Sequence, residues 1–204
     1  MKQLDHPNIV KYFNSFKEGE ALYLVMELVD GQSLLELVTS RKEKKLFLKE
    51  SQIWSMVNQL CSALRYLHSE KKIMHRDIAP SNVLLDLKTS RIKLADFGLA
   101  KHYARKDDGM LASQSSSVMK STFAGTIVYS SPEIVQSEPY SSKADIWSLG
   151  CVLYELCALQ PAFPGTNPLT IAKKIVECDY IPLDETHYSA QLVRLIRSCM
   201  TRES

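Results

Sequence analysis

The chain has 204 residues, 45% hydrophobic and 24% charged, with a net charge of +2. That is enough chain for one substantial core, and the balanced charge excludes a strong pull toward nucleic acid or a membrane surface. The first residues carry no apolar signal segment, no apolar run approaches a membrane span, and the five cysteines (Cys61, Cys151, Cys157, Cys178, Cys199) have no C-x-x-C spacing. They read as buried thiols of a reducing compartment.

In chain order, His6-Pro7-Asn8 is a turn, because Pro7 fixes φ and disfavours helix at His6. Residues 9–16 alternate as a strand, Lys17-Glu18-Gly19-Glu20 turns the chain, and residues 21–28 form a second strand. Asp30-Gly31 breaks that strand, and residues 32–39 have short helical spacing through Leu34, Leu35 and Val38. The run Arg41-Lys42-Glu43-Lys44-Lys45 reads as a solvated helix end or linker. Ile53, Val57, Leu60, Leu64 and Leu67 lie on one face of a helix over about residues 50–69, whose start lacks a good cap because Lys49 stands there. Val83-Leu84-Leu85 and Ile92-Lys93-Leu94 flank a polar turn and predict a small hairpin. Residues 96–133 have little periodicity and many Ser, Lys, Asp and Gly residues. Residues 142–159 are apolar almost all round, which predicts a central buried helix. Pro161, Pro164 and Pro168 end it, and amphipathic helices follow at residues 169–177 and 190–200.

Two motifs carry chemistry. His75-Arg76-Asp77-Ile78-Ala79-Pro80-Ser81-Asn82 places a carboxylate and an amide five positions apart on a loop, since Pro80 forbids a continuous helix. Ile92-Lys93-Leu94-Ala95-Asp96-Phe97-Gly98 ends an apolar run with a second Asp. Two carboxylates and a carboxamide converging on one point suit a defined task. One Asp orients a hydroxyl and accepts its proton, while the other Asp and the Asn offer hard oxygen ligands to Mg²⁺.

The pair, in this order and with Ser131-Pro132-Glu133 downstream, resembles the catalytic loop, D-F-G and A-P-E motifs of protein kinases. The resemblance covers the whole chain and is strongest to the NIMA-related kinases, through Lys143-Ala144-Asp145-Ile146-Trp147-Ser148-Leu149-Gly150-Cys151 and Ala172-Lys173-Lys174-Ile175. Within that family, Gly125-Thr126-Ile127-Val128-Tyr129 and Ser137-Glu138-Pro139-Tyr140 resemble its divergent tenth member. The resemblance implies an α+β fold with a mostly helical carboxy-terminal lobe over residues 29–204. Residues 1–28 would be the remnant of an amino-terminal lobe: the end of a helix, two strands and the start of a hinge. It implies Ser/Thr kinase activity with ATP and Mg²⁺ as cofactors. Asp77 is then the general base, Asn82 and Asp96 the metal ligands, and Arg76 the partner of a phosphate on an activation segment at residues 96–133. Thr126 would hydrogen-bond Asp77, and Thr122 would be the regulatory phosphorylation site. Met26 would be the gatekeeper, Glu27 to Val29 the hinge that meets adenine through backbone groups, and Leu84 part of the adenine floor. Asp145 would hold the catalytic-loop backbone, a role compatible with its favoured place in the first turn of a helix. Implied partners are protein substrates with microtubule, centrosome or cilium links. The expected location is the cytoplasm, with the cytoskeleton or nucleus as alternatives.

Three departures from the family pattern stand out. The chain has no glycine-rich loop and no V-A-I-K-type strand, and it stops before the Arg that pairs with Glu133. It is therefore expected to be a fragment truncated at both ends that by itself binds ATP weakly. Ala79 also replaces a Lys that in Ser/Thr kinases touches the γ-phosphate. The alternative reading is a non-catalytic kinase-fold interaction module. Neither zinc-ligand spacing nor a basic stripe is present.

Overall fold

The structure, a computed structural model, describes residues 4–102 and 127–201. Its first element is the expected hairpin, displaced along the chain. Strands β1 (Tyr12–Glu18) and β2 (Ala21–Met26) pair antiparallel, with Tyr12 opposite Met26 and Glu18 opposite Ala21. The strand starts later than expected because Ile9 is committed elsewhere. Ile9 is buried in a parallel bridge with Leu94, Val10 N donates to Leu94 O at 2.9 Å, and Leu94 N donates to Asn8 O at 2.9 Å. The helix end expected at the start is not found at residues 4–6, which are irregular. They lead into the Pro7 turn, where His6 Nδ1 accepts from Asn8 N and the His6 ring stacks on Tyr66.

Asp30-Gly31 does not simply break the chain. Gly31–Ser33 forms a short strand, β3, that pairs with β5 (Val83–Asp86), and β5 pairs in turn with β6 (Ile92–Leu94) in a three-stranded antiparallel sheet. Ser33 then caps α1 (Leu34–Glu43): its Oγ accepts from Glu36 N, and the Glu36 carboxylate accepts from Ser33 N at 2.7 Å. This reciprocal cap and the cationic last turn carry α1 past the expected end at residue 39.

Helix α2 (Glu50–Arg65) buries Ile53, Val57, Leu60 and Leu64 as its spacing requires. Lys49 supplies no side-chain cap; its backbone N–H donates instead to Gln52 Oε1. The expected continuation to residue 69 is present but is not α-helical: Tyr66–Lys71 is a π-helical turn that ends at the left-handed Lys72. After it, strand β4 (Ile73–Met74) pairs with β7 (Lys101–His102), two strands too short for any sequence pattern to announce. A short helix α3 (Pro132–Val135) precedes the central helix α4 (Lys143–Ala158). Helices α5 (Pro168–Glu177) and α6 (Ala190–Cys199) complete the described fold.

Helix α4 is the axis of the core. Trp147 stacks on Phe163 with ring centroids 5.9 Å apart, and Val152, Leu153 and Leu156 are fully buried. A Cβ on Gly150 would lie 2.7 Å from Cys199 Cβ, so this glycine lets the end of α6 press onto α4. Cys151, Cys157 and Cys199 are buried thiols as expected; Cys61, on the outward side of α2, is exposed, and Cys178 is intermediate. Among the described residues no helix is long and apolar enough to cross a membrane.

Candidate active site

Pro80 opens a single 3₁₀ turn, Pro80–Asn82, and this turn aims Asn82 back at Asp77. Asn82 Nδ2 donates to Asp77 O at 2.8 Å and to Asp77 Oδ2 at 2.9 Å. Both amide hydrogens are thus spent on Asp77, while Oδ1 accepts from Ser81 Oγ at 3.4 Å. Burial pushes the Asp77 carboxyl above the ordinary carboxylate range, the Asn82 bond and His75 partly offset this, and nearby Asp96 raises it further.

The hairpin β5–β6 fixes Asn82 relative to Asp96. Val83 pairs with Leu94, and Ala95 N donates to Asn82 O at 2.8 Å, which ties the residue before Asp96 to the residue that holds Asp77. Asp96 is left-handed, φ 57°, and its Oδ1 accepts from Gly98 N at 3.0 Å. A Cβ on Gly98 would sit 3.0 Å from that same oxygen, so glycine suits this close approach. The Asn82 amide oxygen and the Asp96 carboxylate are hard oxygen donors of the kind that suits Mg²⁺. Among the described residues, no three His, Cys, Asp or Glu side chains are grouped to hold a metal unaided.

His75 joins the two motifs in a way that sequence reasoning missed. Its buried ring accepts from Asp77 N at Nδ1 (3.3 Å) and contacts Ala95 O through Nε2 (3.0 Å), and it meets the Phe97 ring edge-on at 4.7 Å. Since a carbonyl only accepts, the ring is neutral and carries its proton on Nε2. Burial likewise holds its pKa below the usual histidine value. The motif spacing named His75, but only the fold shows these three contacts.

Asp145 sits where the sequence placed it. From the first turn of α4 its Oδ1 accepts from Arg76 N at 2.8 Å and its Oδ2 from His75 N at 2.9 Å. Arg76 itself is left-handed, φ 70°, and its guanidinium lies 5.5 Å over the Tyr140 ring. Behind the site, Glu155, buried in α4, accepts from Tyr129 OH at 2.7 Å, and Ser148 Oγ donates to Tyr129 O. Thr122 and Thr126 lie outside the described residues.

Of the expected hinge residues, Glu27 forms an ion pair. Lys93 Nζ lies 2.6 Å from Glu27 Oε1, and Lys93 pairs across β5–β6 with half-buried Leu84. Glu27 N donates to Lys11 O at 2.8 Å, so that N–H is already engaged. Met26 is exposed and Val29 intermediate. Gln59 on α2 was not singled out from the sequence; its Oε1 accepts from Asn8 Nδ2 and from Ile92 N, fixing both flanks of β6. A cavity of about 530 Å³ lined in part by Tyr154, Tyr180, Leu183, Ile196 and Met200 includes none of the motif residues.

The family model "Protein kinase domain" matches residues 1–204. The chain belongs to the protein kinase domain family. A Caenorhabditis elegans "Serine/threonine-protein kinase D1044.8" is 49% identical over 199 residues, 98% of this chain and 19% of that protein. "Serine/threonine-protein kinase Nek10" of Mus musculus is 45% identical over 203 residues, 100% of this chain and 17% of that protein. "Serine/threonine-protein kinase Nek5" of Homo sapiens is 38% identical over 196 residues, 96% of this chain and 26% of that protein. The kinase domain described here therefore spans under a fifth of the length of the first two relatives and about a quarter of the third. These matches support the Nek-like resemblance and the α+β kinase fold.

Proposed function

We propose that this chain is catalytic: part of a protein kinase that transfers the γ-phosphoryl group of ATP to Ser or Thr hydroxyls of protein substrates. The observation that carries the reading is the Asp77–Asn82–Asp96 constellation, with both Asn82 amide hydrogens on Asp77 and Asp96 tied to the same loop through Ala95. ATP with Mg²⁺ supplies the phosphoryl group and the charge neutralisation at its oxygens. Asp77 orients the substrate hydroxyl and takes its proton, and its partly desolvated carboxyl is the more basic for that burial. Asn82 Oδ1 and the Asp96 carboxylate are the groups that would hold Mg²⁺. Glu27, Val29, Met26 and Leu84 would receive adenine, with the Glu27–Lys93 pair bracing the hinge against β6. Arg76 would meet a phosphate on Thr122, and Thr126 would close the pocket around the hydroxyl. Residues 1–28 would be the last part of an amino-terminal lobe, which the exposed apolar side chains of the hairpin support.

Ala79 favours a second reading, a non-catalytic module, because no cation stands at that position. One assay separates the two. In the full-length protein, Asp77→Asn is expected to lower the rate of ³²P transfer from ATP to Ser/Thr peptides by about 10²–10⁴ with an unchanged melting temperature. Equal transfer by wild type and D77N, or none by either, would reject the catalytic reading.

A further inference from the structure

The segment that joins α1 to α2 takes no part in the Asp77 site. Over residues 41–50 it carries five cations, Arg41, Lys42, Lys44, Lys45 and Lys49, against two carboxylates, Glu43 and Glu50. Leu46 and Phe47 sit among them and are 52% and 48% exposed. The segment is nonetheless held firmly. Lys45 N donates to Lys42 O at 3.1 Å and Leu46 N to Arg41 O at 3.0 Å, which closes the end of α1. Leu48 is buried, and its carbonyl accepts from Tyr188 OH at 3.2 Å. The Phe47 ring meets the His187 ring with centroids 4.6 Å apart. Lys45 is left-handed, φ 54°, at the position after a helix where glycine is favoured. A helix end of this kind ordinarily turns the next apolar residue back onto the helix, yet Leu46 stays more than half exposed. The nearby carboxylates are engaged elsewhere: Glu50 accepts from Ser189 N and Trp54 Nε1, and Asp184 accepts from Thr186 N and meets His187 Nδ1. Lys44, Lys45 and Lys49 have no carboxylate partner among the described residues.

We propose that residues 41–49 form a docking surface for a partner protein, bound through an acidic segment that carries an apolar side chain. An exposed apolar pair by itself would not name its partner; the ring of ammonium groups around it does. Carboxylates on the partner meet Lys44, Lys45 and Lys49 and set the encounter rate, while an apolar side chain covers Leu46 and Phe47 and slows release. The surface is set in advance by the helix end, the Tyr188 bond and the His187 contact, so binding orders little that is not already ordered. A lipid surface fits less well, because two apolar side chains, one of them already against His187, make a shallow anchor. A polyphosphate fits less well too, since a net charge of +2 gives no broad positive field.

The test titrates a fluorescein-labelled peptide of alternating Glu and Phe residues with the full-length protein and follows anisotropy, without ATP, so that the outcome does not depend on phosphoryl transfer. Binding is expected, and its Kd should rise about tenfold or more between about 0.05 and 0.3 M salt. Lys44→Glu combined with Lys45→Glu, and separately Leu46→Ser, should each weaken binding about tenfold or more with an unchanged melting temperature. Lys17→Glu combined with Arg91→Glu makes the same change of charge in β1 and the β5–β6 turn, and should leave Kd within about threefold. No binding by the Glu–Phe peptide would overturn the proposal, and so would an equal loss in the K17E/R91E control. A peptide of alternating Lys and Phe that bound as tightly would show adhesion to the apolar pair alone and overturn the acidic assignment. Tighter binding to phosphatidylserine vesicles than to the peptide, lost in K44E/K45E, would mark a lipid surface instead and likewise overturn it. If L46S does not fold, the charge-reversed protein decides alone, and wild-type affinity in it rejects the surface.

Discussion

Helix α4 leaves Trp147 only 2% exposed and Val152 fully buried, whereas the β1–β2 hairpin leaves Leu22 67% and Phe13 55% exposed. Both segments are apolar, yet only the helix converts that character into packing. The hairpin is held by its own backbone ladder and by a short base: the Asn8–Leu94–Val10 hydrogen bonds and the Lys93–Glu27 pair. The central helix is deeply buried, and through Asp145 it also holds the loop that carries Asp77. Rigidity at the site is thus inherited from the helical body, while the hairpin rests on it as an outlying flap whose apolar surface suits further protein contact.

Substitutions that treat the two regions alike would break this contrast. The largest effect is expected at the axis: Trp147→Ala should lower stability by about 3–5 kcal/mol, read from denaturant melts of the full-length protein. Next comes a pH effect confined to the body. Above the ordinary histidine value of 6.5 neither state protonates His75, so its contribution is constant. Below 6.5 the unfolded chain binds a proton that the folded chain resists, so stability falls as the pH falls. Melting temperatures of wild type and His75→Phe across pH 5–8 check this; the acid slope should be shallower in the variant. At the base of the hairpin, Lys93→Met should cost about 1 kcal/mol, because the pair is partly buried but solvent still reaches it. It should also speed hydrogen exchange in residues 10–27 more than in residues 143–158. Leu22→Ala should change stability by less than about 0.5 kcal/mol. A loss comparable to that of W147A would show that the hairpin is packed in the working protein and would sharpen where its cover lies.

The same contrast explains what could be read in the sequence. Ile53, Val57, Leu60 and Leu64 announced α2, and the apolar run at residues 142–159 announced α4, because each helix buries a face set by local spacing. Asp77, Asn82 and Asp96 could be singled out as candidates because their spacing is short and their chemistry specific, and Asp145 through the family resemblance. Strand β3 was not, since Gly31–Ser33 is extended only through its pairing with β5. The short β4–β7 pair likewise depends on partners distant in sequence. The π-helical turn has no periodic signature, so neither it nor the contact from His68 to Asp145 could be foreseen. Ile9 reads as a strand residue by alternation, yet its bridge to Leu94 removes it from the hairpin.

That bridge bears on how this chain would misassemble. Strand β6 pairs with β5 on one edge and receives Asn8–Val10 on the other, so the ladder next to Asp96 offers no open backbone to a second molecule. In the two-stranded sheet, β1 and β2 each keep one edge unpaired among the described residues. Intermolecular strand addition is therefore directed to the hairpin. Aggregates that grow this way would stack flap on flap and leave the Asp77 loop open to solvent. Gatekeeping charges placed on β1 or β2 would then improve solubility without touching the Asp77–Asn82–Asp96 constellation.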